Sequence, residues 1–242
     1  RDGKWQFLIA NVATIPQYRR QGIARKLTQT ALKYIREHNG TTAWLQVREE
    51  NSDARDLYSS LGFQEIASRT TYRASKKTFN NQPPDSNIFL TNRRSSDWPS
   101  QKAWLQATYP PEIAWHLPFD TRNLEPGIWH SLMQFVQDEP VYHWSARRGE
   151  RLLGVASLEI NRGNTDNLWL AFPVNLEENA LFALLTRVRA ESLGNRPIAV
   201  NFPSGIAERC FHLAGFEKHL TLVWMNQPMH QGQTTQNSDK LA

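Results

Sequence analysis

The chain has 242 residues, of which 40% are hydrophobic and 21% are charged, and its formal net charge is +5 at pH 7. This length allows one large domain or two ordinary domains, each with a substantial core. The one cysteine, Cys210, excludes an internal disulfide framework and favours a reducing compartment, so we expect a cytoplasmic protein. We expect neither a membrane span nor a signal peptide, and the widely spaced histidines predict no metal site.

The positive charge alone would suit a nucleic-acid or membrane-surface partner. However, the basic residues are scattered, apart from short clusters at residues 19–26 and 93–94. A solvated surface together with one anionic cofactor accounts for this distribution. We therefore expect no nucleic-acid partner and no membrane partner.

The first predicted elements are an apolar strand over residues 7–15 and a helix that begins at Ile23 and ends at Gly40. The first turn of a helix leaves backbone N–H groups without partners and carries partial positive charge. Gly22 has no side chain and would let a pyrophosphate settle on this backbone. The connection therefore predicts a phosphate-binding loop, to which four basic side chains add charge: Arg19, Arg20, Arg25 and Lys26.

A strand is predicted next, over residues 43–47, and a second helix follows it. Asn51 is a favourable N-cap residue and Gly62 a favourable C-terminal residue for that helix. Between them, four apolar residues fall on one face: Ala54, Leu57, Tyr58 and Leu61.

These segments, over roughly residues 5–73, resemble the GNAT superfamily of acetyl-CoA-dependent N-acetyltransferases. Residues 19–24, Arg-Arg-Gln-Gly-Ile-Ala, are similar to the pyrophosphate loop of the family, and residues 51–63 match its second motif at every position. The resemblance implies an α+β fold, with a central mixed and mostly antiparallel sheet flanked by helices. It also implies acetyl-CoA as cosubstrate, bound by Val12, Ala13, Thr14, Arg19, Arg20, Gln21, Gly22, Ile23, Ala24, Asn51 and Tyr58.

The resemblance further implies that a primary amine, on a small molecule or at a peptide or protein N-terminus, attacks the acetyl thioester directly. Residues 12–14 would act through their backbone. Tyr58 is the predicted catalytic residue, because its hydroxyl would meet the departing sulfur. Asn51 would bond the pantetheine arm, or would only cap its helix.

The sequence does not identify the general base that would accept the proton of the amine. Relatives that act on protein N-termini carry a glutamate base where this chain has Gln46, and a neutral amide cannot accept the proton. Glu49, Glu50, a water chain or a group outside this sequence could serve instead.

The second half of the chain repeats the first in degraded form. Residues 207–216 align with residues 54–63, and a matching strand–helix–strand order precedes them. Strands are predicted at 142–147, 152–160, 168–172 and 198–202, and a helix at 177–193. The repeat lacks the phosphate loop, since residues 176–180 carry two glutamates and no glycine, and Phe211 stands where Tyr58 does. Its predicted role is structural or substrate-shaping.

We therefore predict tandem GNAT-type domains. The C-terminal part of a GNAT domain, with the acetyl-CoA site, spans residues 1–73, and a linker spans 74–104. A second, degenerate GNAT-like domain spans 105–226, and a disordered tail spans 227–242. Because a GNAT domain should carry two helices and about three strands before its cofactor strand, we expect the first domain to be N-terminally truncated.

Two functions compete at this point. The first is an N-acetyltransferase whose first domain is catalytic. The second is a non-catalytic tandem module that senses acetyl-CoA or binds a protein, with Gln46 marking the loss of turnover. The acceptor and the oligomeric state are left open by the sequence.

Overall fold

The computed structural model describes residues 5–74, 87–127, 140–191 and 196–229. By packing, the chain forms two compact units, which we call unit 1 (Arg1–Ser68 and Leu222–Ala242) and unit 2 (Arg69–Thr221). Most of the predicted tail and residues 75–86 of the predicted linker lie outside the described residues. The predicted domain boundaries remain a prediction.

The described strands and helices follow one another in chain order. The strands are β1 (Trp5–Ile9), β2 (Gly40–Arg48), β3 (Gln64–Ala74), β4 (Phe89–Asn92), β5 (Val141–Arg148), β6 (Arg151–Glu159), β7 (Asp166–Ala171), β8 (Ile198–Pro203) and β9 (Phe216–Pro228). The α-helices are α1 (Ile23–Glu37), α2 (Ser52–Ser60), α3 (Trp98–Thr108), α4 (Pro111–Ala114), α5 (Glu178–Glu191) and α6 (Glu208–Leu213).

Unit 1 is built on β2. This strand pairs in parallel with β1 and in antiparallel with the residues of β9 from Leu222 to Pro228. One face of β2 is buried together with side chains of α1, α2 and β9. The resulting core consists of Leu32, Ile35, Ala43, Leu45, Val47, Tyr58, Phe63, Val223, Met225 and Met229. The last described strand of the chain thus completes the core of the unit that contains the first.

The predicted strand over residues 7–15 is too long. The β1 ladder ends at Ile9, and Asn11 has a left-handed backbone with φ of 59°. A residue in that conformation cannot continue the pleat of a strand. Residues 12–14 therefore lie outside the ladder, where their backbone groups are not used in sheet pairing.

The predicted end of α1 at Gly40 is also wrong. The helix ends at Glu37, and the left-handed residue after it is Asn39, with φ of 56°. Gly40 instead opens β2, where a Cβ atom would lie 2.3 Å from Cγ2 of Ile35. Its lack of a side chain serves close packing of the strand against the helix.

Unit 2 contains strands in a mixed arrangement. Its strands lie in the order β3, β8, β7, β6, β5, β4, in which β7 and β8 are parallel and the other neighbours are antiparallel. The strands predicted in the second half are confirmed, and so is its helix over the described residues, as α5. The predicted α+β class, a mixed and mostly antiparallel sheet with flanking helices, is confirmed.

Within the predicted linker, residues 88–104 are structured. They include β4, which pairs with β5, and the first two turns of α3, which begins with Pro99 in its first turn. A buried ion pair between Asp97 and Arg147 attaches the start of α3 to β5, and Leu105 is fully buried. The polar composition of this segment concealed an amphipathic helix.

Candidate functional site

A cavity of about 460 Å³ lies in unit 1. It is enclosed by the chain after β1, the start of α1 and one face of α2. Its lining residues are Val12, Ala13, Thr14, Tyr18, Arg19, Arg20, Gly22, Ile23, Ala24, Arg25, Asn51, Asp53, Ala54, Leu57 and Tyr58. All of the predicted binding residues are among them except Gln21, whose Nε2 atom donates to the carbonyl of Gln17 at 3.5 Å.

The start of α1 opens into this cavity. Gly22 is the N-cap, with φ of 75° and no capping side chain. The first backbone N–H with a helical partner is that of Lys26, which donates to Gly22 O at 3.0 Å. A Cβ atom on Gly22 would meet nothing within 4 Å. Backbone donors at a helix start thus face open space, which is the arrangement that binds an anion.

A polar atom without a partner lies in the cavity wall. The Oγ1 atom of Thr14 is buried and makes no hydrogen bond. Its backbone carbonyl accepts from Nε of Arg19 at 3.3 Å, which ties the loop back to the segment after β1. Because a buried hydroxyl without a partner is unfavourable, the wall suits a ligand with a polar group at this position.

The lining side chains carry an excess of positive charge. The lining contains three guanidinium groups, of Arg19, Arg20 and Arg25, and one carboxylate, of Asp53. Arg20 pairs with Asp53 at 2.6 Å, and Nη2 of Arg25 donates to Oγ of Ser60 at 2.8 Å. The lining therefore fits an anionic group such as a pyrophosphate.

The α2 wall supplies Asn51 and Tyr58. Asn51 caps the helix, because its Oδ1 atom accepts the backbone N–H of Ala54 at 3.2 Å. The Tyr58 ring is buried, lies edge-on to Phe63 and lines the cavity. Burial raises the pKa of the Tyr58 hydroxyl above its ordinary value of 10.0. At neutral pH this hydroxyl is protonated and able to donate.

The candidate bases lie elsewhere. Gln46 belongs to the face of β2 opposite the core residues Leu45 and Val47, and it does not line the cavity. Glu49 accepts from Ser68 Oγ at 3.5 Å, and Glu50 pairs with Arg48 at 3.5 Å, so neither side chain is part of the lining.

The carboxylate that does line the cavity, Asp53, was missed by sequence reasoning. It occupies an unspecified position of the second motif, directly after the N-cap residues. No signal in the sequence pointed to Asp53, because only Asn51 and Tyr58 of this helix were predicted to bind the cofactor and an acid in the first turn of a helix is favourable for the helix itself.

In unit 2, the predicted repeat places Cys210 and Phe211 on α6. The Sγ atom of Cys210 on α6 donates to Oε2 of Glu178 at the start of α5, at 3.4 Å. Phe211 is fully buried and stacks on Tyr72 with ring centroids 4.2 Å apart. Burial, assisted by Glu178, raises the pKa of the Cys210 thiol to about 12, so this thiol is unreactive packing. The first turn of α5 thus carries a carboxylate, as predicted from the sequence.

In the ranges that the structure describes, no three His, Cys, Asp or Glu side chains cluster in a way that could hold a metal ion. Among the helices described above, none is both long and apolar enough to cross a membrane.

Known proteins resemble this chain over the segment that forms the cavity. The Acetyltransferase (GNAT) family matches residues 2–63. The ribosomal protein bS18–alanine N-acetyltransferase of Escherichia coli is 40% identical over 62 residues, 26% of this chain and 42% of that protein. An N-alpha-acetyltransferase of Sulfurisphaera tokodaii is 41% identical over 59 residues, 24% of this chain and 35% of that protein. The chain thus spans less than half of the length of these curated relatives.

The fold is similar to that of a solved GCN5-related N-acetyltransferase from Sphaerobacter thermophilus. The TM-score is 0.57 at 14% sequence identity, and the match covers 88% of this chain and 70% of that one. This likeness concerns the fold, a mixed sheet flanked by helices. Over residues 2–63, the chain is similar to the GNAT family of acetyltransferases.

Proposed function

We propose that this protein is an N-acetyltransferase that moves the acetyl group of acetyl-CoA directly to a primary amine, and that the unit 1 cavity is its cofactor site. One observation carries the proposal. The same cavity holds the open start of α1, three guanidinium groups and, on its other wall, the protonated hydroxyl of Tyr58.

The cofactor would be held mainly by the backbone. Its pyrophosphate would accept from the N–H groups that follow Gly22, with Arg19 and Arg20 adding charge. The backbone of residues 12–14, outside the β1 ladder, and the buried Thr14 hydroxyl would bind the pantetheine arm. The cavity volume of about 460 Å³ is within the usual range of small-molecule sites.

Acetyl-CoA, when bound, supplies an activated acetyl thioester for attack by the amine. The protein would contribute chiefly by holding the reactants in line, which can be worth about 7–11 kcal/mol. Tyr58 would donate its proton to the departing sulfur and so avoid a free thiolate. Its burial supports this role, because a raised pKa keeps the proton in place until the sulfur accepts it.

The proposed substrate class rests on the side chains that the described residues contribute to the lining, none of which is an unpaired carboxylate or a histidine. Asp53 is the carboxylate there, and it is paired with Arg20. Deprotonating a lysine at pH 7 costs about 4–5 kcal/mol, whereas an α-amine costs only about 1–1.5 kcal/mol. We therefore favour the α-amine of a peptide or protein N-terminus over a lysine side chain. The names of the relatives from Escherichia coli and Sulfurisphaera tokodaii support this class.

The test of the cofactor site is a thermal-shift titration with acetyl-CoA. At about 100 times the dissociation constant, the ligand should add about 2.7 kcal/mol to the free energy of unfolding. Gly22→Glu should abolish the shift, because it places a carboxylate where the pyrophosphate would lie. Gly149→Glu is the matched control, since Gly149 also has positive φ (57°) and open space around its Cβ position but lies in unit 2. No shift in the folded wild type would refute the proposal.

A non-catalytic acetyl-CoA-sensing or protein-binding module is the alternative function. Gln46 in place of a glutamate, and the pairing of Asp53, are the observations that favour it. Release of coenzyme A during incubation with acetyl-CoA and a panel of N-terminal peptides would distinguish the two functions. A sensor would bind acetyl-CoA and release none.

A further inference from the structure

Two oppositely charged side chains meet in the wall of the unit 1 cavity. Arg20 belongs to the loop before α1, and Asp53 belongs to the first turn of α2. Their Nη2 and Oδ2 atoms are 2.6 Å apart. The pair links the phosphate loop to the helix that carries Tyr58.

The backbone of Arg20 gives this contact a role in shaping the loop. Its φ is 62°, a left-handed conformation that a side chain disfavours. The neighbouring Gly22, with φ of 75°, adopts the same region without that penalty. The contact with Asp53 is therefore a side-chain interaction that helps to hold Arg20 in an otherwise unfavourable turn.

The pair is weak by the standards of ion pairs. The two side chains are 81% and 68% exposed, so water and salt screen their attraction. The pyrophosphate of the cofactor carries more negative charge than one carboxylate, and like a carboxylate it can offer a guanidinium two parallel hydrogen bonds. A phosphate that reaches the loop would thus displace Asp53 from Arg20.

We propose that Asp53 is a placeholder for the cofactor phosphate, an inference that rests on the proposed function. In the free protein, Asp53 forms an ion pair with Arg20. A phosphate of the cofactor replaces Asp53 on the guanidinium when it binds, and the ion pair forms again when the product coenzyme A dissociates. Asp53 therefore lowers the affinity of the site for coenzyme A and favours product release.

The experiment is isothermal titration of the full chain with coenzyme A at about 0.15 M salt. Asp53→Asn should tighten binding about twofold to fivefold, the range that an exposed ion pair is worth. Asp56→Asn is the matched control, because Asp56 is an exposed acid on the same helix that does not line the cavity. The control variant should bind like the wild type. Circular dichroism verifies that each variant is folded, and Asp53→Ser provides a second substitution.

A double-mutant cycle with Arg20→Gln separates competition for Arg20 from a general effect of charge. The gain from Asp53→Asn should disappear in the Arg20→Gln background. An equal gain in that background, or no gain or weaker binding for Asp53→Asn alone, would overturn the placeholder role and leave the proposed function standing. Failure of the wild type itself to bind coenzyme A would instead refute the proposed function.

Discussion

A Cβ atom on Gly62, the left-handed residue after α2, would lie 2.9 Å from Nε2 of Gln227 on β9. The end of the helix that carries Tyr58 is therefore in close contact with the last described strand, β9. The same strand pairs with β2 from Leu222 to Pro228, and its residues Val223 and Met225 belong to the core that holds Tyr58. A segment far along the sequence thus supports the wall of the candidate site.

Shortening Met225 should destabilise unit 1. The side chain is fully buried, so Met225→Ala is expected to cost about 2–5 kcal/mol of the free energy of unfolding. Urea unfolding measures this loss. The acetyl-CoA thermal shift should weaken in parallel, because α2 loses a part of its support.

The matched control for this change is Leu213→Ala. Leu213 lies in unit 2, and it is 40% exposed. Its truncation should change the free energy of unfolding by no more than about 0.5 kcal/mol. Equal losses for the two variants would contradict the assignment of β9 to the core of unit 1.

Two substitutions of Asn51 should separate its two possible roles. Asn51→Ser keeps an oxygen that can accept the Ala54 N–H, so stability should be retained. Asn51→Ala loses the cap and should cost about 1 kcal/mol in urea unfolding. If the amide also bonds the pantetheine arm, both variants should bind acetyl-CoA more weakly than the wild type. An unchanged affinity of Asn51→Ser for acetyl-CoA would show that Asn51 only caps its helix.

The local features of the site could be predicted from the sequence, and the long-range ones could not. Gly22 and Asn51 act on backbone within one helical turn, so their residue types indicate their roles. The pairing of β9 with β2 depends on contacts between distant residues that no local pattern specifies. The end of β1 was missed because apolar residues continue past Asn11, whose left-handed backbone breaks the strand.

Asp53 shows a second limit of sequence reasoning. A charged residue in the first turn of a helix is favourable for the helix itself, so its residue type gives no sign of a site. Only the position of Arg20 in space reveals its contact.

Acid should destabilise unit 2 through His143. Its Nδ1 atom is in hydrogen-bond contact with Oγ of Ser157 at 2.8 Å, and Gln101 donates to the same oxygen. Burial, with a contribution from Arg93, lowers the pKa of His143 from 6.5 to about 3. The unfolded chain therefore binds a proton first as pH falls. The stability that the neutral imidazole confers is present above pH 6.5 and is lost progressively between 6.5 and about 3.

The measurement is urea unfolding of the wild type and His143→Gln between pH 7.5 and about 4. The variant has no imidazole to protonate, so its free energy of unfolding should fall less steeply as the pH is lowered. The slopes of the two proteins should differ by up to about 1.4 kcal/mol per pH unit. Parallel curves for the two proteins would show that His143 is protonated equally in the folded and unfolded chain, which would contradict its burial.

Tyr58→Phe should separate catalysis from cofactor binding. The ring packs in the core and against Phe63, and phenylalanine preserves that packing while removing the hydroxyl. If the hydroxyl protonates the departing sulfur, kcat should fall about 10²-fold or more, whereas the acetyl-CoA thermal shift should be retained. Tyr34→Phe is the control, because Tyr34 is an exposed tyrosine on α1 that does not line the cavity. An unchanged kcat in Tyr58→Phe, in a protein that does turn over, would assign Tyr58 to packing alone and leave the sulfur to be protonated by water.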